Sequence, residues 1–185
     1  MFAPMPPRKP LNPAAEADVG RDFYAGVAPD LDVGFFSPMW HLISLGHLVA
    51  TDLDRIARRH GLSIADLLTL GALRIAAPER LRATDLALRL HISNAALSPR
   101  IARLARAKLL ERVPSASDRR AHDLVLTEEG RAKADAAIAE ISRTGQFARN
   151  FVKLADEDRA AIARTLGLLH DMADRDFLPA SRGDV

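Results

Sequence analysis

A basic segment is the first feature of this chain that could do chemistry. The stretch from Arg89 to His122 holds eight basic side chains against two acidic ones, so it carries a charge of +6, whereas the whole chain carries +2. Its basic residues are Arg89, Arg100, Arg103, Arg106, Lys108, Arg112, Arg119 and Arg120. Charge concentrated in this way in a nearly neutral protein is typical of a surface that binds a polyanion. The alternative is a solvated helix face without a partner.

The aromatic residues lie outside the basic segment, and none falls between His41 and Gln146. They are Phe2, Phe23, Tyr24, Phe35, Phe36, Trp40, Phe147, Phe151 and Phe177. Proteins that bind single strands or RNA interleave aromatic and basic side chains so that bases can stack. Their absence here favours duplex DNA, bound through its grooves and phosphates.

Residue patterns typical of enzymes are missing from the sequence. The chain has no cysteine, which excludes disulfides, thiolate nucleophiles and cysteine-ligated metals. It contains no Gly-x-Ser-x-Gly, no P-loop and no Gly-x-Gly-x-x-Gly after a strand. We therefore expect no enzyme activity and no cofactor.

Two histidines of one predicted helix are possible ligands. His41 and His47 lie six residues apart, on opposite sides of the helix, so they cannot chelate one metal within one chain. No His-Glu-x-x-His run exists. A metal site would have to be assembled across helices or subunits, and none is predicted. With Trp40, the two histidines could line a small-molecule pocket; the alternative is the polar lining of a dimer interface.

Membrane and export signals are not predicted. No apolar run reaches the roughly 18 residues of a membrane helix. The N-terminal stretch MFAPMPPRKPLNP has no apolar segment after its basic residues, unlike a signal peptide. The expectation is a cytoplasmic protein.

Hydrophobic periodicity predicts a mostly helical chain. A first long helix starts at Pro38 behind Ser37 as N-cap and ends near His60. Ser63 is predicted to cap a second helix over 64–76. A final helix begins at Asp156 and carries an apolar stripe of Ile162, Leu166, Leu169 and Met172.

The middle of the chain predicts a DNA-binding motif. Thr84 caps a short helix over 85–90, a turn follows over 91–93, and a basic helix runs to about Lys108. The apolar residues of that basic helix share one face: Leu97, Ile101 and Leu104. A short helix, a three-residue turn and a basic helix form a helix-turn-helix pattern.

Two short strands follow, over 109–113 and 123–126, joined by a basic loop. Such a hairpin beside a helix-turn-helix is the wing of a winged helix. Thr127 is predicted to cap the next helix, which runs to about Ser142 or past Gly145.

The predicted fold is α+β, mostly helical: a winged helix-turn-helix with N- and C-terminal helices that form a dimerisation region. Residues 1–20 are expected to be a disordered arm and 21–60 the arm's end with a dimerisation helix. The DNA-binding region spans 61–127, C-terminal dimerisation helices span 128–178, and 179–185 form a tail.

Several motifs resemble the MarR family of winged-helix regulators. They are Gly61-Leu62-Ser63, Asp85-Leu86-Ala87, Leu109-Leu110-Glu111-Arg112 and, most specifically, Asp118-Arg119-Arg120 followed by Leu126-Thr127 and Gly130. The resemblance covers about residues 40–175. It implies a homodimer with interlocked terminal helices, in which each subunit offers one winged helix to a palindromic operator. It also implies, for many members, release from DNA by a small, often aromatic, anionic ligand.

Pro99 departs from this family pattern, which usually has a polar or basic residue there. An interior proline removes one hydrogen bond and clashes with the carbonyl four residues back, here that of Ala95. Either Ser98 caps a helix that starts at Pro99, after a separate turn over 94–97, or the helix kinks. Both outcomes would re-aim the residues that enter the major groove.

Arg100, which matches a common arginine of the family, and Asn94 are the candidates for base contacts. Arginine pairs with guanine and asparagine with adenine, each with about 1–3 kcal/mol of discrimination. The alternatives are a phosphate contact for Arg100 and a capping role for Asn94.

Phosphate contacts are expected from Thr84, Ser93 and Ser98, near helix N-termini. The alternative for these three is plain helix capping. Arg103 and Arg112 are candidates for backbone contacts or simple surface charges. Pro99 lies among these DNA-facing positions.

The wing supplies the remaining candidates. Arg119 or Arg120 is expected to enter the minor groove, and Asp118 to orient one of them. The alternative is a pair of solvated loop arginines. The predicted function is a homodimeric, sequence-specific regulator, a repressor released by a ligand. Alternatives are a helical interaction dimer that has lost DNA reading and a ligand-insensitive DNA-architectural dimer.

Overall fold

The computed structural model describes residues 12–115 and 121–177. The chain divides into two compact units, one ending at Thr51 and one starting at Asp52. The described residues form a mostly helical chain with one small antiparallel sheet, which confirms the predicted fold class. None of the described helices is long and apolar enough to cross a membrane.

The first unit contains α1 (Pro13–Val27) and the N-terminal half of α2 (Phe36–Arg59). Asn12 caps α1, because its side chain accepts a 3.2 Å hydrogen bond from the Ala14 amide. The next residue is a proline, which suits the first helical position. The prediction of a disordered arm over 1–20 is therefore wrong for 13–20, and residues 1–11 lie outside the described part.

Aromatic packing joins α1 to the start of α2. A β-carbon on Gly20 would lie 2.3 Å from the Phe36 ring, so a larger residue at position 20 would displace that ring. The Phe36 ring lies 5.0 Å from that of Tyr24 and 6.4 Å from that of Trp40. Because α2 already begins at Phe36, Ser37 lies inside the helix and the prediction that it is the N-cap is wrong.

The second unit holds the remaining elements. In chain order they are the end of α2, α3 (Ile64–Ala76), β1 (Leu81–Arg82), α4 (Ala83–Arg89), α5 (Asn94–Arg106), β2 (Leu110–Pro114), β3 (His122–Leu126), α6 (Glu128–Thr144), α7 (Gln146–Phe151) and α8 (Asp156–Phe177). Ser63 caps α3 as predicted, with a hydrogen bond of 3.1 Å from the Asp66 amide to its hydroxyl.

The sheet has the order β1–β3–β2, and both pairs are antiparallel. Leu124 of β3 lies between Leu81 of β1 and Arg112 of β2. The hairpin of β2 and β3 agrees with the prediction. Strand β1 was not predicted, because a strand of two residues is too short to show a periodic pattern. The sheet and α3–α6 enclose the core, which includes Leu70, Leu86, Leu97, Ile101, Leu104, Leu110 and Leu124.

The C-terminal helices differ from the prediction in one place. α6 stops at Thr144, and α7, which the sequence pattern does not predict, follows Gly145. The buried carboxylate of Asp52 accepts a hydrogen bond from the Gln146 amide at the start of α7. Asp52 thus accepts the first amide of α7, which begins a new helix after Gly145.

Candidate nucleic-acid interface

The turn between α4 and α5 orients the second helix of the motif. His91 takes the left-handed conformation with φ of 51°, and the Ile92 amide donates to the Ala87 carbonyl at 3.0 Å. Ser93 then caps α5, since its hydroxyl accepts from the Ala96 amide at 3.2 Å. The α5 N-terminus therefore starts immediately after the turn, as in a helix-turn-helix.

Thr84 does not cap α4, contrary to the prediction. The helix begins at Ala83, two residues before the predicted start, and the Asp85 carboxylate accepts from the Arg82 amide at 3.3 Å. Asp85 thus pairs with the amide of Arg82, the residue just before the helix. The Thr84 side chain is exposed at this N-terminus.

α5 is one continuous helix through Pro99. The Ser98 hydroxyl donates to the Asn94 carbonyl at 2.9 Å, so the interpretation in which Ser98 caps a new helix is wrong. Ser93 already supplies the cap, and the buried residues before and after the proline hold both halves in the same core. Pro99 has no amide for the Ala95 carbonyl, which leaves one helical hydrogen bond unmade.

Small apolar side chains form the centre of the exposed face of α5. Leu97, Ile101 and Leu104 are buried, and a turn of about 100° per residue places Ala95, Pro99 and Ala102 on the opposite side. All three of these outward residues are exposed. Pro99 therefore sits at the centre of the face that is free to meet a partner.

The polar residues of α5 flank this apolar centre. Asn94 and Ser98 are exposed on one edge, and Arg103 lies on the other. Arg100 is half-buried and lies further round the helix, beside the buried face. Within the described part of the chain, no hydrogen bond or ion pair engages the Arg100 side chain.

Arg103 is held by α3. Its guanidinium donates two hydrogen bonds to the Asp66 carboxylate, at 2.5 Å and 3.3 Å. Asp66 is buried, whereas about half of the Arg103 side chain is exposed. Burial raises the pKa of Asp66, but the hydrogen bonds from Arg103 and Ser63 outweigh it, so its pKa lies below the usual value. The ion pair fixes α5 against α3.

Sequence reasoning identifies both partners of this ion pair but not the pair itself. Asp66 belongs to the predicted start of α3, and Arg103 is a candidate for a DNA contact or a surface charge. The two residues lie 37 positions apart, and no local pattern connects them. The available signal in the sequence is that Asp66, a helix-capping carboxylate, can accept a further hydrogen bond from a basic side chain.

The two strands of the hairpin, β2 and β3, are the described part of the wing. Arg112 is exposed on β2, paired in register with Leu124 of β3. Residues 116–120 lie outside the described residues, so the predictions for Asp118, Arg119 and Arg120 stay predictions. Beyond the ends of the two strands, the Ser115 amide donates to the Ala121 carbonyl at 3.0 Å.

The base of the wing packs tightly on α6. The Thr127 hydroxyl donates to the Lys108 carbonyl at 2.7 Å and accepts from the Gly130 amide at 3.0 Å, which confirms its capping role. The Thr127 amide donates to the Leu109 carbonyl at 3.2 Å. The Leu-Thr-x-x-Gly motif thus joins the end of the hairpin to the segment between α5 and β2.

The predicted small-molecule residues are not brought together as a group. Trp40 lines a groove of about 500 Å³ in the first unit, with Asn12, Ala15, Glu16, Val19, Gly20 and Phe36. His41 and His47 are not among its lining residues. The groove is therefore aromatic and apolar rather than histidine-lined.

The sequence of this chain is similar to proteins of a known family. The sequence profile of the MarR family matches residues 60–121. The HTH-type transcriptional regulator PecS of Dickeya dadantii is 32% identical over 113 residues, which cover 60% of this chain and 68% of PecS.

Two solved structures show the same fold over most of the chain. The transcriptional repressor CouR bound to a 23-mer DNA duplex matches with a TM-score of 0.62 and 26% identity, over 76% of this chain and 98% of CouR. CouR from Rhodococcus jostii RHA1 bound to p-coumaroyl-CoA matches with a TM-score of 0.63 and 20% identity, over 77% and 94%.

Proposed function

Because this chain belongs to the MarR family of transcriptional regulators, we propose that it is a homodimeric, sequence-specific repressor of duplex DNA. The observation that carries the proposal is the outward N-terminal half of α5, which follows a short turn over residues 90–93 and stands beside an antiparallel hairpin. In a helix-turn-helix, the N-terminal residues of the second helix contact base edges in the major groove. The homologues are regulators rather than enzymes, in line with the expectation of no catalysis.

Base reading is assigned to one edge and the centre of that α5 face, together with Arg100 on the far side of the helix. Asn94 can pair with adenine from one edge, and Arg100 can extend from its half-buried position to a guanine or a phosphate. The centre, formed by Ala95, Pro99 and Ala102, offers apolar surface, which fits the methyl groups of thymine. We therefore expect an operator with thymines at the middle of each half-site.

Phosphate contacts surround this centre. Thr84 and Ser93 lie at the N-termini of α4 and α5, where free amides favour anions. Arg112 on the exposed side of β2 is a further candidate. Arg103 serves chiefly as a positioning residue, since both of its hydrogen bonds go to Asp66. These contacts fix the register of the protein on DNA.

The wing arginines keep their proposed role. Arg119 or Arg120 enters the minor groove next to the half-site, and Asp118 orients one of them. The hairpin geometry that leads into this loop supports the proposal, because β2 and β3 remain paired up to Pro114 and His122.

Dimerisation is proposed from exposed apolar side chains in both units. The first unit, taken by itself, exposes Phe23, Phe35, Leu42, Ile43 and Leu48. In the second unit, the predicted stripe on α8 is also exposed, with Leu166, Leu169 and Met172 between 40% and 49% accessible. Exposed apolar surface of this extent marks protein interfaces. A two-fold dimer would space two copies of α5 about 34–36 Å apart, one turn of DNA.

A small aromatic effector is proposed for the groove beside Trp40 and Phe36. Flat aromatic molecules stack well on such rings. The CouR complex with p-coumaroyl-CoA shows that a protein of this fold holds an aromatic acyl ligand. A ligand that favours one spacing of the two DNA-binding regions would weaken operator binding by its differential affinity. The proposed location of the protein is the cytoplasm.

Selection from random duplex DNA at two salt concentrations, with sequencing of the bound fraction, tests this function. A palindrome with half-sites about one helical turn apart is the expected result. Salt-sensitive binding without an enriched motif would indicate the DNA-architectural dimer instead. A folded dimer that binds no duplex, with or without prior removal of small molecules by refolding, would indicate the interaction dimer.

A further inference from the structure

A cluster of metal-ligating side chains joins the helix-turn-helix to the C-terminal helix. His91 lies in the turn before α5, and His170 and Asp174 lie one turn apart on α8. One ligand atom from each residue lies within 4.8 Å of the other two. The sequence pattern could not show this cluster, because His91 and His170 are 79 residues apart.

The two imidazoles are arranged as a pair of metal ligands. The Nε2 atoms of His91 and His170 lie 3.2 Å apart, with the rings tilted at 62°. Nitrogen ligands at about 2.0–2.1 Å from a tetrahedral zinc ion are separated by about 3.3–3.4 Å, so the observed spacing already fits a shared ion.

Asp174 supports the same arrangement from the other side of the His91 ring. Its Oδ1 atom lies 3.4 Å from Nδ1 of His91. Metal-bound histidines commonly donate their second ring N–H to a carboxylate, which fixes the tautomer and strengthens the ligand. A proton on Nδ1, held by Asp174, leaves the Nε2 atom of His91 unprotonated and able to bind a metal.

We propose that His91 and His170 coordinate a divalent transition-metal ion, with Zn²⁺ as the best match, and that Asp174 orients His91. Imidazole ligands suit zinc, copper and nickel, whereas calcium and magnesium prefer oxygen. All three side chains are at least partly exposed, so an ion can enter and water can complete its coordination. The bound ion would fasten the turn before α5 to α8.

The site is tested by metal titration of the full chain after chelator treatment. Zn²⁺ affinity is measured by competition with a chromogenic chelator, and Co²⁺ provides visible absorption bands that report nitrogen ligation. We expect one ion per chain and a rise in Tm with Zn²⁺, because an ion that binds only the folded state stabilises it.

Variants separate this site from adventitious binding. His170→Ala suits a helix, and His91→Asn keeps a residue that tolerates the left-handed conformation. Each should lower Zn²⁺ affinity by about tenfold or more, and Asp174→Asn by about tenfold. His122→Ala, an exposed histidine on β3, is the matched control and should bind as the wild type does.

Two results would overturn the proposal. One is a Zn²⁺ affinity of the wild type no higher than that of the double variant His91→Asn/His170→Ala. The contact between the two imidazoles would then be a simple histidine–histidine hydrogen bond. The other is tight binding that all three site variants retain, which would place the ion elsewhere. Should a variant unfold without metal, imidazole NMR of the wild type decides the matter: Zn²⁺ should shift two of the six histidines.

Discussion

Gly130 lies directly against the backbone of Leu109: a β-carbon at position 130 would come within 1.8 Å of the Leu109 carbonyl oxygen. The same oxygen accepts the Thr127 amide at 3.2 Å. The glycine of the Leu-Thr-x-x-Gly motif is therefore required by the packing of α6 on the base of the wing. It is needed for close approach and not for an unusual backbone angle.

Gly130→Ala is expected to lower the free energy of unfolding by about 1–3 kcal/mol, because α6 must move away from Leu109. Urea denaturation measures this change. Gly71→Ala in α3 is the control, since nothing lies within 4 Å of its would-be β-carbon. That control should be neutral or stabilising by up to about 1 kcal/mol. Equal stability of the two variants would contradict the packing argument.

The ion pair between Asp66 and Arg103 predicts a loss of stability in acid. The folded pKa of Asp66 lies below its ordinary value of 3.8, so its contribution is present above that pH and is lost as the pH falls through the folded value. Asp66→Asn should lower the free energy of unfolding by about 1–3 kcal/mol at pH 7. Below about pH 4 the variant should lose less further stability than the wild type does.

The comparison for this experiment is Asp135→Asn, which breaks the exposed pair with Arg74. An exposed ion pair contributes about 0–1 kcal/mol, so the free energy of unfolding of this control should stay close to that of the wild type at every pH. If both variants lose stability in parallel with the wild type in acid, Asp66 is not the group responsible.

Pro99 leaves the Ala95 carbonyl without its helical amide. Pro99→Ala is expected to raise the free energy of unfolding by about 1–3 kcal/mol, because it restores a hydrogen bond and removes a clash. Thermal unfolding followed by circular dichroism measures the effect. Ser98→Ala, on the neighbouring exposed position, should leave stability within about 0.5 kcal/mol. An unchanged or lower stability of Pro99→Ala would mean that α5 needs the proline.

The apolar centre of α5 predicts dependence on thymine methyl groups. Replacement of operator thymines by deoxyuridine at the half-site centre should weaken binding about three- to fourfold for each methyl group removed, since burial of one such group contributes about 0.8 kcal/mol. Fluorescence anisotropy with matched duplexes measures the ratio. The same replacement outside the half-sites is the control, and an equal effect at both places would exclude methyl reading by Ala95, Pro99 and Ala102.

The wing predicts a sequence-independent contribution to affinity. Arg119→Ala with Arg120→Ala should weaken binding to operator and non-operator DNA alike and lower the salt slope by about 1 for each phosphate that an arginine no longer neutralises. Arg143→Ala, in the last turn of α6, removes one positive charge away from the motif and should have little effect. Full-strength binding by the double variant would show that the wing is assigned wrongly.

Local chemistry explains which features could be predicted. Ser63 and Thr127 cap helices with partners three residues away, and the apolar spacing of Leu97, Ile101 and Leu104 spans two helical turns. Such signals depend on hydrogen bonds and side-chain periods within one element. For the same reason the helix-turn-helix, the hairpin and the family resemblance are all visible in the sequence.

Contacts between residues far apart in the sequence could not be predicted. Only the tertiary structure shows that Arg103 is committed to Asp66, that Gly130 must lack a β-carbon, and that His91 meets His170. Each of these relationships joins residues 21 to 79 positions apart. The sequence by itself determined the helix-turn-helix, the hairpin and the long helices, because those follow from local periodicity and capping, whereas α1, β1 and α7 were not predicted. Which side chains meet across elements depends on packing distances that no local pattern contains.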